Sequence, residues 1–168
     1  MILLLDERQR KELAQYSPYI AMLKVSSQNR RYIPMDYLER EIIPGDKLFT
    51  MPSATSYEFG ILMSNVHMAW TRAVCGRLKS DYSYSNTIVY NNFPWPSPTK
   101  AILNARALYP DSNLADLYDP LTMPTELLKA HNANNRAVMD AYGFSIKMSE
   151  ADCVAELMRM YQKLTKEK

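Results

Sequence analysis

The chain has 168 residues, 47% of them hydrophobic and four of them glycine, which suits one domain or two small ones and excludes broad disorder. Its formal net charge is +2. Residues 1–100 hold 12 Lys/Arg against 9 Asp/Glu, and residues 101–168 hold 8 against 9, so a surface that faces a polyanion is expected in the first part.

The cysteines and the apolar runs indicate a cytoplasmic protein. Cys75 and Cys153 lie far apart in apolar helical patterns, which favours buried free thiols over a disulfide and suits a reducing compartment. The opening run MILLL is too short for a signal peptide. Since no stretch approaches the roughly 18 apolar residues that a membrane span requires, no membrane partner is expected.

Short elements are predicted at the start of the chain. Residues 6–15 are predicted to form a short polar helix, and residues 26–29 a turn. Pro34 confines a strand that contains it to a sheet edge, or ends it. Three strands are predicted from their β-branched and apolar residues: 19–26, 30–35 and 47–52.

The segment from Thr55 to Arg77 is predicted to form one long helix. Thr55 followed by Glu58 fits a capping box, and Gly76 lies near the end, where helices commonly stop. Apolar residues recur along it at helical spacing: Phe59, Leu62, Met63, Val66, Trp70, Ala73 and Val74. This helix is therefore expected to form the core of the first part.

The next stretch, GRLKSDYSYSNTIVYNNFPWPSP (residues 76–98), is rich in hydroxyl, amide and aromatic side chains. Four residues alternate as in a strand with one buried face: Tyr82, Tyr84, Ile88 and Tyr90. The tyrosines are expected to pack against the helix that carries Trp70. Phe93 and Trp95 are predicted to be hydrophobic anchors, and the prolines beside them stiffen the passage.

After Pro98 the pattern becomes helical, with segments 99–109, 111–120, 124–144 and 149–168. One predicted face carries Leu127, Leu128, His131, Val138 and Tyr142. Another carries Val154, Leu157, Met158, Tyr161 and Leu164, behind a Ser149 cap with Asp152 at its third position. The predicted fold class is α+β and mostly helical, with a small mixed α/β part followed by a C-terminal helical region.

Motifs for catalysis or metal binding are not found in the sequence. The four glycines stand too far apart for a phosphate-binding loop. His67 and Cys75 are eight residues apart on the predicted helix, about 12 Å, which is too far for a nucleophile and its base. His131 fits a hydrogen-bonded core histidine better than a metal ligand. No catalytic, cofactor-binding or metal-binding residue is therefore predicted.

The tetrapeptide NFPW, residues 92–95, is similar to the Asn-Pro-Pro-aromatic signature of amino-group DNA methyltransferases. In that signature the asparagine contacts the target amine and the aromatic ring stacks on a flipped base. Here Phe93 replaces the first proline, and no glycine-rich cofactor motif precedes it. We therefore interpret the tetrapeptide as structural.

Longer motifs point to a family. The stretches VSSQNRRYIP, YEFGILMSNVHMAWTRAVCGRLKSDYSYSNTIVYNNFPWP and ARALYPDSNLADLYDPLTMPTELLKAHNANNRAVMDAYGF resemble the C-terminal part of MmeI-like enzymes. These are large bacterial restriction–modification proteins that join an endonuclease, an adenine-N6 DNA methyltransferase and a target-recognition domain. That pattern leads us to expect a much longer segment between Tyr16 and Ser17, carrying a good part of the recognition domain, and a longer helix between Lys100 and Ala101. In this sequence these residues are adjacent.

The resemblance implies how the chain is organised. Residues 1–96 are similar to part of the recognition domain, and residues 97–168 to the C-terminal helical region. The S-adenosylmethionine motif and the catalytic residues would lie upstream, so the cofactor is expected for the parent enzyme and not in this chain. Double-stranded DNA and the upstream methyltransferase domain are the implied partners.

Candidate DNA contacts fall on two short segments. Arginine offers a fork of donors to phosphate or guanine, and small polar residues supply further hydrogen bonds. The candidates are Ser26, Ser27, Asn29, Arg30, Arg31, Lys79 and Ser80. The alternative is that these side chains are solvated or salt-bridged, and that the chain is a helical module that braces the parent enzyme without touching DNA.

Overall fold

The structure of the protein is a computed structural model, which describes residues 18–39, 42, 44–96 and 125–166. The helices predicted at 6–15, 99–109 and 111–120 lie outside these residues. The α+β fold class is confirmed, because two small antiparallel sheets and two short helices are followed by two long C-terminal helices. No helix within the described ranges is long and apolar enough to cross a membrane.

The first sheet, sheet A, has the strand order β3-β1-β4. β1 spans Tyr19–Leu23, β3 spans Met35–Leu38 and β4 spans Leu48–Met51, and both outer strands run antiparallel to β1. The prediction of a strand over 30–35 was wrong, because pairing with β1 begins only at Met35. Pro34 has no N–H for a ladder, and its carbonyl accepts from Leu23 N at 3.2 Å just before the strand begins.

The predicted long helix is broken into two. α1 spans Ser56–Leu62 and α2 spans Asn65–Val74. The capping box at Thr55 and Glu58 is confirmed. The break occurs because Ser64 caps α2, its Oγ accepting from His67 N at 3.2 Å.

The second sheet, sheet B, has the order β2-β6-β5, with β2 at Val25–Ser26, β5 at Gly76–Leu78 and β6 at Asp81–Ser83. Gly76 therefore begins a strand and does not end the helix. Tyr82 and Tyr84 are buried as predicted. The strand pattern does not continue to Tyr90, because Asn86–Tyr90 forms a π-helical turn that leaves Ile88 50% exposed.

Two long helices complete the fold, with α3 spanning Thr125–Tyr142 and α4 spanning Glu150–Lys166. Their predicted apolar faces are buried or half-buried except at Leu164, which is 50% exposed on the last turn of α4. The Ser149 cap is confirmed, since Ser149 Oγ accepts from Asp152 N at 3.1 Å. α4 packs on α2, and Arg72 of α2 donates to both carboxylate oxygens of Glu150 at 2.6 and 2.8 Å.

Two buried asparagines of α3 satisfy backbone groups at the break between α1 and α2. Asn134 Nδ2 donates to Gly60 O at 2.8 Å and to Met63 O at 3.2 Å. Asn135 Oδ1 accepts from Asn65 N at 2.8 Å. These groups would otherwise be buried helix-end donors and acceptors without partners, so α3 stabilises the break.

His67 and Cys75 do not form a reactive pair. His67 is fully buried, with Nδ1 at 3.0 Å from Leu62 O and Nε2 at 2.9 Å from Tyr84 Oη. Burial lowers the pKa of His67 to about 4, so the ring is neutral at physiological pH. Both cysteines are free, Cys153 buried and Cys75 half-buried, and burial raises the pKa of each thiol.

Candidate nucleic-acid interface

The first candidate segment is a closed turn between β2 and β3, residues 27–31. Its backbone is closed by Arg30 N donating to Ser27 O at 3.2 Å, and Asn29 N donates to Ser27 Oγ at 3.3 Å. Asn29 and Arg31 are exposed, while Ser27 and Arg30 are half-buried. The turn therefore presents polar and cationic side chains on a backbone whose own hydrogen bonds are made.

The second candidate segment is the turn at residues 79–80, which joins β5 to β6. Leu78 pairs with Asp81, so Lys79 and Ser80 form a two-residue hairpin loop. Lys79 has a φ of 57°, in the left-handed region that favours glycine, and its side chain is exposed. This conformation costs a non-glycine residue about 1–2 kcal/mol. The hairpin nevertheless has a lysine at this position.

Sheet B brings these two segments to one end of the molecule. Ser26 pairs with Tyr82 in the antiparallel pair of β2 and β6, and Tyr82 pairs with Arg77 on the other side. The 27–31 turn leaves β2 next to Ser26, and the 79–80 turn enters β6 two residues before Tyr82. Both turns therefore lie at the same end of the strands of sheet B, although about 50 residues separate them in sequence.

Ser26 differs from the other candidates because it is only 4% exposed. Its side chain lies inside sheet B, where DNA cannot reach it without a rearrangement. Arg77, which was not among the predicted residues, lies in the same row of the sheet. Its guanidinium carbon is 4.1 Å from the centre of the Tyr82 ring, and Nη1 donates to Ser80 O at 3.3 Å, which supports the 79–80 turn.

The 27–31 turn rests on helix α3. Arg31 Nη2 donates to Asn132 Oδ1 at 3.2 Å. The next residue, Tyr32, is buried, stacks on the His131 ring with centroids 4.4 Å apart and accepts from Asn135 Nδ2 at 2.9 Å. The sequence contains no local signal for these contacts, because Asn132 and Asn135 lie about 100 residues away on another element.

Arg30 and Lys79 are cations that form no ion pair with a described carboxylate. Several acidic groups are engaged elsewhere: Glu58 and Asp152 in helix caps, and Glu150 and Glu156 with arginines. Among the described residues, the end of sheet B therefore bears two cations outside ion pairs, in a chain whose net charge is close to zero.

His131, beneath the 27–31 turn, is a core histidine as predicted. Burial, and to a smaller extent the nearby Arg31 cation, lower its pKa to about 4. The backbone of Met63 opposes this shift by accepting a hydrogen bond from the ring. A neutral ring can stack flat on Tyr32 without adding a buried charge beneath the arginines.

The 92–96 segment is engaged internally. Asn92 Nδ2 donates to Thr87 O at 3.0 Å and to Ile88 O at 3.1 Å, so this amide closes the π-helical turn. Phe93 is 3% exposed and meets the edge of the His67 ring with centroids 5.1 Å apart. Tyr142 of α3 donates to Pro94 O at 2.8 Å. The interpretation of this segment as a hydrophobic anchor is confirmed.

Three described glycines and one small apolar pocket bear on ligand binding. A side chain at Gly45 or Gly143 would meet open space, and one at Gly76 would meet only Ser83 O at 3.8 Å, an ordinary contact. The apolar pocket between β1, β4 and α1 is too small to admit a cofactor. Among the described residues, no group of three His, Cys, Asp or Glu side chains is placed to hold a metal ion.

Comparisons with known proteins match this chain along nearly its whole length. The family described as "MmeI, target recognition domain" matches residues 5–97, and the family described as "MmeI, C-terminal domain" matches residues 97–167. A relative named DNA methyltransferase A, from Bacillus subtilis (strain 168), is 38% identical over 168 aligned positions, which cover 94% of this chain and 19% of the relative.

A solved structure is also similar. The type IIL restriction–modification enzyme MmeI, determined in complex with DNA, superposes with a TM-score of 0.77 at 43% identity, covering 88% of this chain and 21% of that protein. The chain thus spans about a fifth of the length of each of these two proteins. Its two matched regions carry the turns of sheet B and the helix that supports them, and the chain belongs to the MmeI family, of which it represents the target-recognition and C-terminal domains.

Proposed function

We propose that this chain binds double-stranded DNA through the end of sheet B, as the target-recognition part of an adenine-specific DNA methyltransferase of a restriction–modification system. The 27–31 turn and the 79–80 turn form the contact surface. Its residues are Ser27, Asn29, Arg30, Arg31, Lys79 and Ser80. Residues 1–96 supply this surface, and residues 97–168 form the helical region that supports it.

One observation carries the proposal: two cationic turns, far apart in sequence, lie at the same end of the strands of sheet B. The register of β2, β6 and β5 produces this arrangement. The two-residue hairpin places Lys79 at its tip, where the side chain is exposed. Phosphate contacts from such turns would fix the orientation of a duplex, and an arginine fork would suit a guanine edge.

The parent enzyme would perform the chemistry. We propose that an upstream domain binds S-adenosylmethionine and flips the target adenine, while this chain holds the duplex in register. Methyl transfer is not proposed for the chain itself. The two free cysteines suit the reducing cytoplasm in which such an enzyme would act.

Fluorescence anisotropy of the 168-residue chain with a short labelled duplex, across a salt series, tests the proposal. Counterion release predicts that the logarithm of affinity falls with the logarithm of salt concentration, with a slope of about −0.9 per phosphate contacted. The Arg30→Glu/Arg31→Glu variant should lose most of the affinity and flatten the slope. Methylation by the full-length parent with S-adenosylmethionine should fall in parallel.

A matched control separates local contact from net charge. Lys147 and Lys163 are both exposed, and Lys147→Glu/Lys163→Glu changes the net charge by the same amount away from the two turns. Equal losses of affinity in the two variants would contradict the proposed surface. Absence of any duplex binding at low salt would contradict DNA binding by this chain altogether.

The second candidate function is that of a brace for the parent enzyme. The observation that favours it is the hydrogen bonding of Asn134 and Asn135, which ties α3 to α1, α2 and Tyr32. A pure brace requires the fold and not the cationic turns. Methylation that survives Arg30→Glu/Arg31→Glu but is lost when α3 is disrupted would select this alternative.

A further inference from the structure

We propose that the exposed side of helix α3 extends the DNA-contacting surface, with Lys129 and Arg136 as phosphate contacts. This inference rests on the proposed function and deepens it. The C-terminal region would then contribute directly to DNA binding, in addition to supporting the recognition part. The ligand would be the sugar–phosphate backbone beside the segment that the 27–31 turn contacts.

The geometry of α3 places both side chains next to that turn. Asn132, the partner of Arg31, lies three residues after Lys129 and four before Arg136, so the three residues follow one side of the helix. All three are exposed. Seven residues separate Lys129 from Arg136, which puts their backbones about 10 Å apart along the axis, at 1.5 Å per residue, with Asn132 between them.

The opposite side of α3 is used for packing. His131, Asn134, Asn135 and Val138 are at most 5% exposed. The helix is therefore fixed in rotation about its axis by buried contacts on one side. Its cationic side cannot turn away from the 27–31 turn without breaking the hydrogen bonds of Asn134 and Asn135.

Neither cation has a carboxylate partner in the part of the chain described here. Asp140 lies one turn after Arg136 on the exposed side and forms no ion pair with it. This differs from α4, where Arg159 is paired with Glu156. Together with Arg30 and Lys79, the two side chains make four cations on sheet B and α3 that form no ion pair among the described residues, which fits a polyanion.

The test compares Lys129→Gln/Arg136→Gln with Lys147→Gln/Lys163→Gln, each in the 168-residue chain with the same duplex and salt series. Glutamine retains helix propensity, so the thermal midpoint should change little. The α3 variant should flatten the salt slope by about 0.9 for each phosphate that it no longer binds, and the control should leave the slope unchanged. Equal slopes in the two variants, with wild-type binding intact, would overturn this inference and leave the proposed function standing.

A measurement on the wild-type chain provides an independent check. Bound duplex should protect the Lys129 amine from a lysine-reactive acetylating reagent, as read by mass spectrometry, while Lys147 remains reactive. Lys129 that reacts equally with and without duplex would overturn the inference. If the wild-type chain binds no duplex at low salt, the proposed function fails first, and this inference with it.

Discussion

The 27–31 turn and the 92–96 segment differ in how the fold uses their polar side chains. Each contains an asparagine, and an aromatic residue follows it, Tyr32 directly after the turn and Phe93 within the segment. In the 92–96 segment the amide of Asn92 is bound to two carbonyls and the Phe93 ring is buried. In the 27–31 turn the guanidinium of Arg30 forms no ion pair among the described residues. The difference shows that a side chain is available to a ligand when the fold leaves its polar groups unengaged.

The largest expected effect concerns the 92–96 segment. Phe93→Ala should reduce the free energy of unfolding by about 3–5 kcal/mol, since it removes a buried ring that contacts His67, Trp70 and Tyr142. Urea denaturation would measure it. DNA affinity, corrected for the folded fraction, should remain at the wild-type value. A selective loss of affinity in the folded protein would show that this segment also faces DNA.

A second effect concerns two buried histidines, His67 beside Phe93 and His131 beside Tyr32. His67 and His131 each have a folded-state pKa of about 4, below the usual value of 6.5. Between these values the unfolded chain binds more protons, so stability rises with pH across the window and is lost as pH falls through it. Each unit of difference corresponds to about 1.4 kcal/mol, so the loss should be about 3 kcal/mol for each histidine across the whole window.

Urea midpoints at pH 7.5, 6.0 and 4.5 would measure this dependence. A His131→Gln variant should be less stable at neutral pH, because it loses the stack on Tyr32. It should also show a shallower decline on acidification, since one of the two titrating groups is gone. A decline as steep as in the wild type would mean that His131 does not contribute to the pH dependence.

The smallest expected effect concerns Lys79 at the tip of the hairpin. Its replacement by glycine should raise the stability of the fold and lower the affinity for DNA. Lys79→Gly should raise stability by up to about 1 kcal/mol, because glycine adopts the left-handed φ of 57° without the cost that lysine has. The same change should weaken DNA binding and flatten the salt slope by about 0.9. Lys79→Gln, which keeps the strain but removes the charge, should weaken binding without the gain in stability.

Features fixed by neighbouring residues could be predicted from the sequence. The caps at Thr55 and Ser149, the strands around Ala21 and Phe49 and the long helix that carries Val138 all depend on local propensity and periodicity. The break after Leu62 was missed because the apolar pattern runs through it without interruption. Ser64 was a local signal for that break, but the partners that stabilise it come from α3.

The candidate site likewise has features that the sequence predicts and features that depend on long-range packing. Its cationic residues could be selected from sequence, since arginines and lysine beside turn residues are recognisable. Their proximity could not, because it depends on the pairing of β2 with β6 across more than 50 residues. The burial of Ser26 and the support of Arg31 by Asn132 likewise follow from long-range packing.

The two asparagines of α3 have a consequence for how this family can diversify. Asn134 and Asn135 complete hydrogen bonds of backbone groups at residues 60, 63 and 65, which lie in the region matched by the recognition-domain family. A chimaera joined near residue 97 would combine α1 and α2 of one protein with α3 of another. Transplanting a specificity between relatives should therefore succeed more often when the helix travels with the turns it supports.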